Sequence, residues 1–152
     1  MFFSKLAYDH ITSSLLPLSL VSSHSRIWSC NLPLKLKCFT WLCMEKSINN
    51  WDNLTKKGWT WPNKCCLCRN SDESVNHLLV GCSFTRELIN ILSRKFLILV
   101  HWNDPSFLDN LENWFKRERE CLYLPLFVVW NLWISRNYYL FKDKPPDLIP
   151  LC

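Results

Sequence analysis

Four cysteines and one histidine lie close together near the middle of the chain, and their spacing is typical of a metal site. The pattern is C-x2-C-x8-H-x4-C, which begins at Cys65 and ends at Cys82. Zinc prefers four soft or borderline ligands in a tetrahedron, and a C-x2-C turn lets two sulfurs converge from one loop. The spacing therefore predicts one Zn²⁺ bound by Cys65, Cys68, His77 and Cys82.

The predicted site is closed, because the protein itself supplies all four ligands. A zinc ion without an open coordination position has a structural role and not a catalytic one. Three other interpretations remain open on the sequence alone. The cysteines could be small apolar core residues, His77 could be a core histidine beside Leu78 and Leu79, and Cys66 could replace Cys65 in a poorer C-x-C turn.

The distribution of the nine cysteines favours a metal site in a reducing compartment over a secreted disulfide framework. Five of them show no partner spacing, namely Cys30, Cys38, Cys43, Cys121 and Cys152. Cys38 and Cys43 fall in a predicted helix and are expected in the core. Cys121 and His101 could form a nucleophile pair, but no third group orients the histidine. With two glycines and no paired-carboxylate motif, the chain is not expected to be an enzyme.

Positive charge is concentrated in one segment. The net charge of the whole chain is +5, whereas residues 26–69 alone hold eight basic side chains and two acidic ones. A local positive field suits a polyanion-binding surface, although a solvated face that keeps the protein in solution is an equally good interpretation. The residues predicted to contact phosphate groups are Lys35, Lys37, Lys56, Lys57, Lys64 and Arg69.

Tryptophans alternate with these basic residues. The segment contains Trp28, Trp41, Trp51, Trp59 and Trp61. Aromatic faces can stack on unpaired bases while neighbouring cations neutralise phosphates. The competing role is packing in a small core, which we expect for most of them. Trp59 and Trp61, just before the first ligand, are the pair most suited to stacking.

The elements that must position these residues are predicted to be helices. Apolar spacing and breaker residues indicate helices over residues 3–11, 34–49, 51–57 and 106–120, another beginning after Cys82 with Ser83 as its cap, and a last one over 126–141. That last helix is expected to bury one broad face, formed by Leu126, Val129, Trp130, Trp133, Leu140 and Phe141. The predicted fold class is mainly α: a small helical module with a central zinc-bound turn, followed by C-terminal helices.

The sequence suggests four regions along the chain. They are an N-terminal extension (1–26), a zinc-binding module (27–90), a C-terminal helical region (91–144) and a tail (145–152). The apolar run at residues 15–21 is short and interrupted, so a secretory signal is not expected. No stretch approaches the roughly 20 apolar residues that span a bilayer, so no membrane association is predicted.

The segment 27–88 resembles the zinc-binding domain that follows the polymerase in plant LINE-type (non-LTR) reverse transcriptases. The resemblance rests on Trp28, Leu32-Pro33-Leu34-Lys35, Phe39-Thr40-Trp41-Leu42, Leu54-Thr55-Lys56-Lys57-Gly58-Trp59, Cys65-Cys66-Leu67-Cys68, Glu73, His77-Leu78-Leu79 and Cys82-Ser83-Phe84. A second patch, Trp130-Asn131-Leu132-Trp133-Ile134-Ser135-Arg136-Asn137 with Phe141, is similar to a W-x-x-W-x-x-R-N-x-x-x-F segment that commonly follows this domain. The resemblance implies the same four zinc ligands, contact with RNA or DNA of any sequence, and a nuclear location.

The chain also departs from the family pattern. Cys66 stands where proline is usual, and Ile89 where tryptophan is frequent. No paired-aspartate polymerase motif and no ribonuclease H acidic set is found, so neither activity is carried over from the resemblance. We expect a non-catalytic, nucleic-acid-contacting module. The alternatives are a protein-interaction module that uses the last helix, or the product of a decayed element with no nucleic-acid role.

Overall fold

The computed structural model describes residues 18–60, 63–97, 100–117 and 123–142, with the backbone alone for residues 18–22. The described chain is mainly helical, as predicted. Its elements are α1 (Leu18–Ser29), α2 (Leu34–Met44), α3 (Trp51–Lys56), a π-helical turn (His77–Gly81), α4 (Ser83–Phe96), α5 (Phe107–Arg117) and α6 (Leu124–Lys142). The predicted helix 3–11, the tail 145–152 and Trp61 lie outside the described residues. Extended pairing in the described ranges is limited to one antiparallel bridge, Lys64 with Asp72.

Helix α2 ends five residues earlier than predicted. Its last helical residue is Met44, and Lys46 adopts a left-handed backbone with φ of 52°. The N–H of Ser47 donates to the carbonyl of Leu42 at 2.8 Å, and that of Lys46 to Cys43 at 3.1 Å. These two bonds form a Schellman motif, which normally has glycine at the left-handed position. The prediction of a helix to residue 49 was wrong. The left-handed position holds lysine in place of glycine, so no glycine in the sequence marked this helix end.

Helix α4 begins as predicted but is capped differently. Cys82, and not Ser83, occupies the N-cap position, with extended backbone angles of −65° and 134°. The helix ends at Leu97, whose φ of 53° is left-handed. The predicted zinc ligand Cys82 is therefore also the residue that precedes the first turn of α4.

One hydrophobic core joins residues from all parts of the described chain. Helix α2 packs against α1, α5 and α6. The ring of Phe39 lies 5.3 Å from the ring of Trp130 and 5.5 Å from that of Trp133, measured between centroids. Fully buried residues of the described chain that belong to this core include Ile27, Leu79, Leu111 and Val129.

Helix α1 crosses the predicted boundary at residue 26. Ser23, His24, Ile27 and Cys30 are buried, and the guanidinium of Arg26 donates to the carbonyl of Phe115 on α5. The core likewise extends across residue 90. The division into four regions stays a prediction, since packing alone does not define where a domain ends.

The broad face predicted for α6 is only partly correct. Leu126 and Val129 are buried, and Trp130 and Trp133 pack against the core while remaining partly exposed. Phe141, however, is 78% exposed and does not belong to the buried face of this 19-residue helix. Among the described residues, no helix has the length and apolar character needed to cross a bilayer.

Candidate metal centre

The first two candidate ligands lie in a closed loop of residues 63–73, here called the cysteine loop. At its base the N–H of Glu73 donates to the carbonyl of Asn63, and the N–H of Cys65 to the carbonyl of Ser71, each at 2.8 Å. The N–H of Arg69 then returns to the carbonyl of Cys65, also at 2.8 Å, with a left-handed φ of 59°. This tight turn brings the side chains of positions 65 and 68 to the same side.

The other two candidate ligands lie at the ends of the π-helical turn. The N–H of Cys82 donates to the carbonyl of His77 at 2.7 Å. In an α-helix two side chains five residues apart would point about 140° away from each other. The wider i→i+5 turn reduces that divergence. The hydroxyl of Ser74 accepts the N–H of His77 at 3.0 Å and fixes the start of the turn.

Contacts from outside the turn hold it in place. The hydroxyl of Thr85 on α4 donates to the carbonyl of Leu78 at 2.6 Å. The indole N–H of Trp102 donates to the carbonyl of Leu79 at 2.9 Å. A buried carbonyl without a hydrogen bond would destabilise the fold. The side chains of Thr85 and Trp102 supply the hydrogen bonds that these two carbonyls need.

The four side chains predicted from spacing come together. Their donor atoms all lie within 4.8 Å of one another, with Cys65 and Cys82 buried and the other two half-buried. The sulfurs of Cys65 and Cys82 are 3.9 Å apart, and the Cys68 sulfur is 3.2 Å from Nε2 of His77. Two sulfurs at about 2.3 Å from a tetrahedral zinc lie about 3.8 Å apart. The donor set of three sulfurs and one imidazole nitrogen therefore fits zinc in both size and chemistry.

Cys66 does not belong to this group. Its sulfur faces the opposite way, 3.9 Å from the backbone carbonyl of Arg136. Burial, with a smaller contribution from the neighbouring Glu73 carboxylate, raises the pKa of the Cys66 thiol to about 12. The geometry thus favours Cys65 over Cys66 at the first ligand position.

The local electrostatics favour a thiolate at Cys82. The hydrogen bond with Cys65 lowers the pKa of Cys82 to about 5, and the N–H groups of Phe84 and Thr85 at the start of α4 lower it as well, against the opposing effect of burial. The same shared proton raises the pKa of Cys65. Because metal binding requires deprotonated sulfur, the N-terminus of α4 contributes directly to the donor set.

An ion pair that sequence reasoning did not identify lies behind the cysteine loop. Arg136 of α6 donates to Glu73 from Nη2 at 2.7 Å and from Nε to both carboxylate oxygens at 3.2 Å. The side chains are 2% and 0% exposed. Both residues belong to the resemblance quoted above, but no role was assigned to them. The feature of the sequence that could have indicated this ion pair is Arg136, a lone arginine in the apolar stretch of the last helix.

The residues predicted to contact nucleic acid lie on α2, at the end of α3 and in the cysteine loop. Lys35 is exposed, with its ammonium 5.4 Å from the ring centroid of Trp130, while Lys37 is half-buried and donates to the carbonyl of Trp28. Lys56 pairs with Asp52 on α3, and Lys64 with Asp72, each at 3.0 Å. The remaining two, Lys57 and Arg69, are exposed.

The tryptophans of the basic segment divide between packing and exposure. Trp28, Trp41 and Trp51 are half-buried, whereas Trp59 is 62% exposed. Of the remaining cysteines that are described, Cys43 is buried as expected and Cys38 is half-buried. His101 is exposed, and its possible partner Cys121 lies outside the described residues.

Comparison with known protein families gives a match over the first part of the chain. A family model described as zinc-binding in reverse transcriptase matches residues 2–88, more than half of the 152 residues. The matched range contains all four candidate ligands and ends within α4, before α5 and α6. No curated protein matches the chain, and no solved structure does so.

Proposed function

Because the chain belongs to the family of zinc-binding domains of reverse transcriptases, we propose that it binds one structural Zn²⁺ and contacts nucleic acid without catalysing a reaction. The observation that carries the zinc proposal is the convergence of Cys65, Cys68, His77 and Cys82. When bound, the ion would link the cysteine loop to the π-helical turn. Four protein ligands would leave no position for substrate.

Zinc content per purified chain tests the first part of this proposal. We expect one zinc in the parent and loss of both zinc and helicity in Cys68→Ser and His77→Ala, since zinc binding contributes its free energy to folding. The matched variant Cys66→Ser should keep one zinc, because its sulfur faces Arg136. A parent chain that is fully folded without metal would contradict the proposal.

The nucleic-acid part rests on the positive charge of residues 26–69 and on exposed cations with an exposed aromatic ring beside them. Three exposed residues lie close together in the chain at the end of α3 and just after it, namely Lys56, Lys57 and Trp59. The pairs formed by Lys56 and Lys64 lie at the surface, where ion pairs contribute little, so phosphate groups can replace the carboxylates. The proposed contacts are to phosphates and are independent of sequence.

The salt dependence of binding to labelled single-stranded and duplex oligonucleotides tests this mechanism. Each phosphate contact should add about 0.7 to the log–log slope for single strands and about 0.9 for duplex DNA. Replacing both Lys56 and Lys57 by alanine should weaken binding and lower the slope by about 1–2. Lys116→Ala, an exposed cation on α5, is the matched control and should change neither. Binding that does not respond to salt would contradict phosphate contact.

Two finer statements complete the proposal. The first is that the chain derives from the reverse transcriptase of a plant LINE-type element. The W-x-x-W-x-x-R-N-x-x-x-F segment at residues 130–141 supports this origin. The absence of catalysis is supported by the family, whose description refers to zinc binding. Assays for polymerase and nuclease activity with the purified chain should therefore give background rates.

One observation favours the alternative of a protein-interaction module. The rings of Phe127, Tyr138 and Phe141 on α6 are 43%, 43% and 78% exposed. Exposed aromatic side chains are enriched at protein interfaces. If this surface binds protein, the mass measured by light scattering should rise with concentration or on addition of a partner, and Phe141→Ser should abolish the rise. A constant monomer mass would count against self-association through α6.

A further inference from the structure

Helix α6 contacts the cysteine loop at three points. The guanidinium of Arg136 holds the carboxylate of Glu73 with bonds of 2.7–3.2 Å. The carbonyl of Arg136 lies 3.9 Å from the sulfur of Cys66. One turn further along, the hydroxyl of Tyr139 accepts a hydrogen bond from Arg69, whose guanidinium lies 5.4 Å from the ring centroid of Tyr139. The cysteine loop, which carries two of the four candidate ligands, therefore packs against α6.

The ion pair between Arg136 and Glu73 is buried, and two tryptophan rings lie beside its guanidinium group. The faces of Trp133 and Trp51 lie 4.8 and 6.0 Å from the guanidinium of Arg136. The N–H of Trp51 donates to Oε1 of Glu73 at 2.9 Å, which adds a bond to the carboxylate. A buried ion pair is favourable only when its geometry is good and further hydrogen bonds satisfy the charges. Both conditions are met here, so each side chain is held in one orientation.

This orientation is transmitted to the donor atoms through the backbone. Glu73 closes the base of the cysteine loop by its bond to Asn63, and two residues earlier Ser71 accepts the N–H of Cys65. A displacement of Glu73 would therefore move the first ligand. Helix α6 also packs against the π-helical turn, which carries His77 and leads to Cys82. Both halves of the donor set are thus supported by the same helix.

We infer that Arg136 is a positioning residue of the zinc site and that α6 completes the zinc-binding unit, although the family match ends at residue 88. Replacing a residue that hydrogen-bonds to a metal ligand typically lowers metal affinity by a factor of about 10–100, and Arg136 acts on the candidate ligands through Glu73 and the backbone of the cysteine loop. Arg136 lies 63 positions after its partner Glu73. The inference rests on the proposed zinc occupancy.

The test compares metal release from the parent chain, Arg136→Met and Glu73→Gln after loading with Zn²⁺ or Co²⁺. We expect chelator-driven release to accelerate about 10–100-fold in both variants, and the visible spectrum of bound Co²⁺ to shift as its sulfur ligands move. The matched control is Leu126→Ala, a fully buried position at the start of the same helix. It should destabilise the fold and leave the Co²⁺ spectrum unchanged, and it should accelerate release far less than the two charge variants do.

The outcomes distinguish a positioning role of Arg136 from general destabilisation of the fold. Faster release with an altered spectrum in the two charge variants only would support the inference. Equal acceleration in Leu126→Ala would overturn it, because general destabilisation would then explain the effect. A parent chain that binds neither metal would instead refute the proposed function. If Arg136→Met does not fold, Arg136→Lys keeps the charge without the planar fork. Faster release from that variant supports the inference, and release at the parent rate overturns it.

Discussion

Two cysteines that are neighbours in the chain have opposite surroundings. The sulfur of Cys65 lies 3.9 Å from that of Cys82, whereas the sulfur of Cys66 lies against the carbonyl of Arg136. The tight turn that follows Cys65 directs the two side chains to opposite sides of the loop. One cysteine thus contributes to the donor set, and the other contributes to the packing of the loop on α6.

His24 provides a prediction at the scale of a single residue. It is 4% exposed, and its Nε2 lies 3.2 Å from Oε1 of Glu45. Burial lowers the pKa of His24, and the attraction of Glu45 opposes that effect without cancelling it. As the pH falls below about 6.5, the unfolded chain therefore takes up this proton first. The stability contributed by neutral His24 is present above that pH and is lost as the pH falls through the folded-state pKa.

Denaturant titrations from pH 7.5 to pH 5 would measure this effect. We expect the free energy of unfolding of the parent to fall more steeply than that of His24→Gln, which has no proton to gain. Protonation of the metal ligands lowers stability in both proteins equally, so the difference between the two profiles isolates His24. Parallel profiles would show that burial does not shift the pKa of this residue.

At the scale of elements, several segments end at residues with left-handed backbone that are not glycine. Lys46 follows α2, Arg69 ends the tight turn that begins at Cys65, and Leu97 follows α4, with φ between 52° and 59°. Gly58 after α3, with φ of 87°, is the expected case. Left-handed conformations cost energy for residues with a side chain, and at all three positions the backbone N–H makes a local hydrogen bond, to the carbonyls of Cys43, Cys65 and Ser93 respectively.

The contact between α2 and α6 provides a prediction for elements. The ring of Phe39 lies within 5.3–5.5 Å of the rings of Trp130 and Trp133 and is 6% exposed. Phe39→Ala should lower the free energy of unfolding by about 3–5 kcal/mol, since it removes a buried aromatic side chain and leaves a cavity. Chemical denaturation of the zinc-loaded protein measures this quantity.

Phe141→Ala is the matched control for that experiment. The same substitution at a position that is 78% exposed should change stability by less than about 0.5 kcal/mol. A large loss at Phe141 would mean that this ring is buried in solution, for example between two chains. A small loss at Phe39 would contradict the packing of α2 on α6.

At the scale of the whole molecule, the candidate metal centre is part of the core. Cys65 and Cys82 belong to the same buried cluster as Leu111 on α5 and Leu126 on α6. The core residues Leu78 and Leu79 of the π-helical turn lie between two candidate ligands. Loss of the metal should therefore affect helices that contribute no ligand.

Thermal unfolding with and without a chelator tests this coupling. We expect one transition, with far-ultraviolet circular dichroism and tryptophan fluorescence coinciding, and a lower midpoint by both probes after metal removal. The tryptophans of α5 and α6 report on regions remote from the ligands in sequence. Two separate transitions, of which only one responds to the chelator, would show that the site folds independently of α5 and α6.

The sequence by itself determined the features that depend on local spacing. The C-x2-C and H-x4-C pairs predicted which four side chains would converge, because each pair is joined by a single turn of the chain. The helical class followed from apolar periodicity, Pro33 predicted the start of α2, and Gly58 predicted the end of α3 to within one residue. The residues that resemble the zinc-binding domain of reverse transcriptases predicted the family, and the match over residues 2–88 confirms it.

Only the tertiary structure decided the features that depend on contacts between distant residues. It placed Cys66 against the carbonyl of Arg136 and left Phe141 exposed. It also joined Glu73 to Arg136 across 63 positions of sequence. Local patterns do not encode such a pair, because its two charges become favourable neighbours only when the fold has removed water from around both.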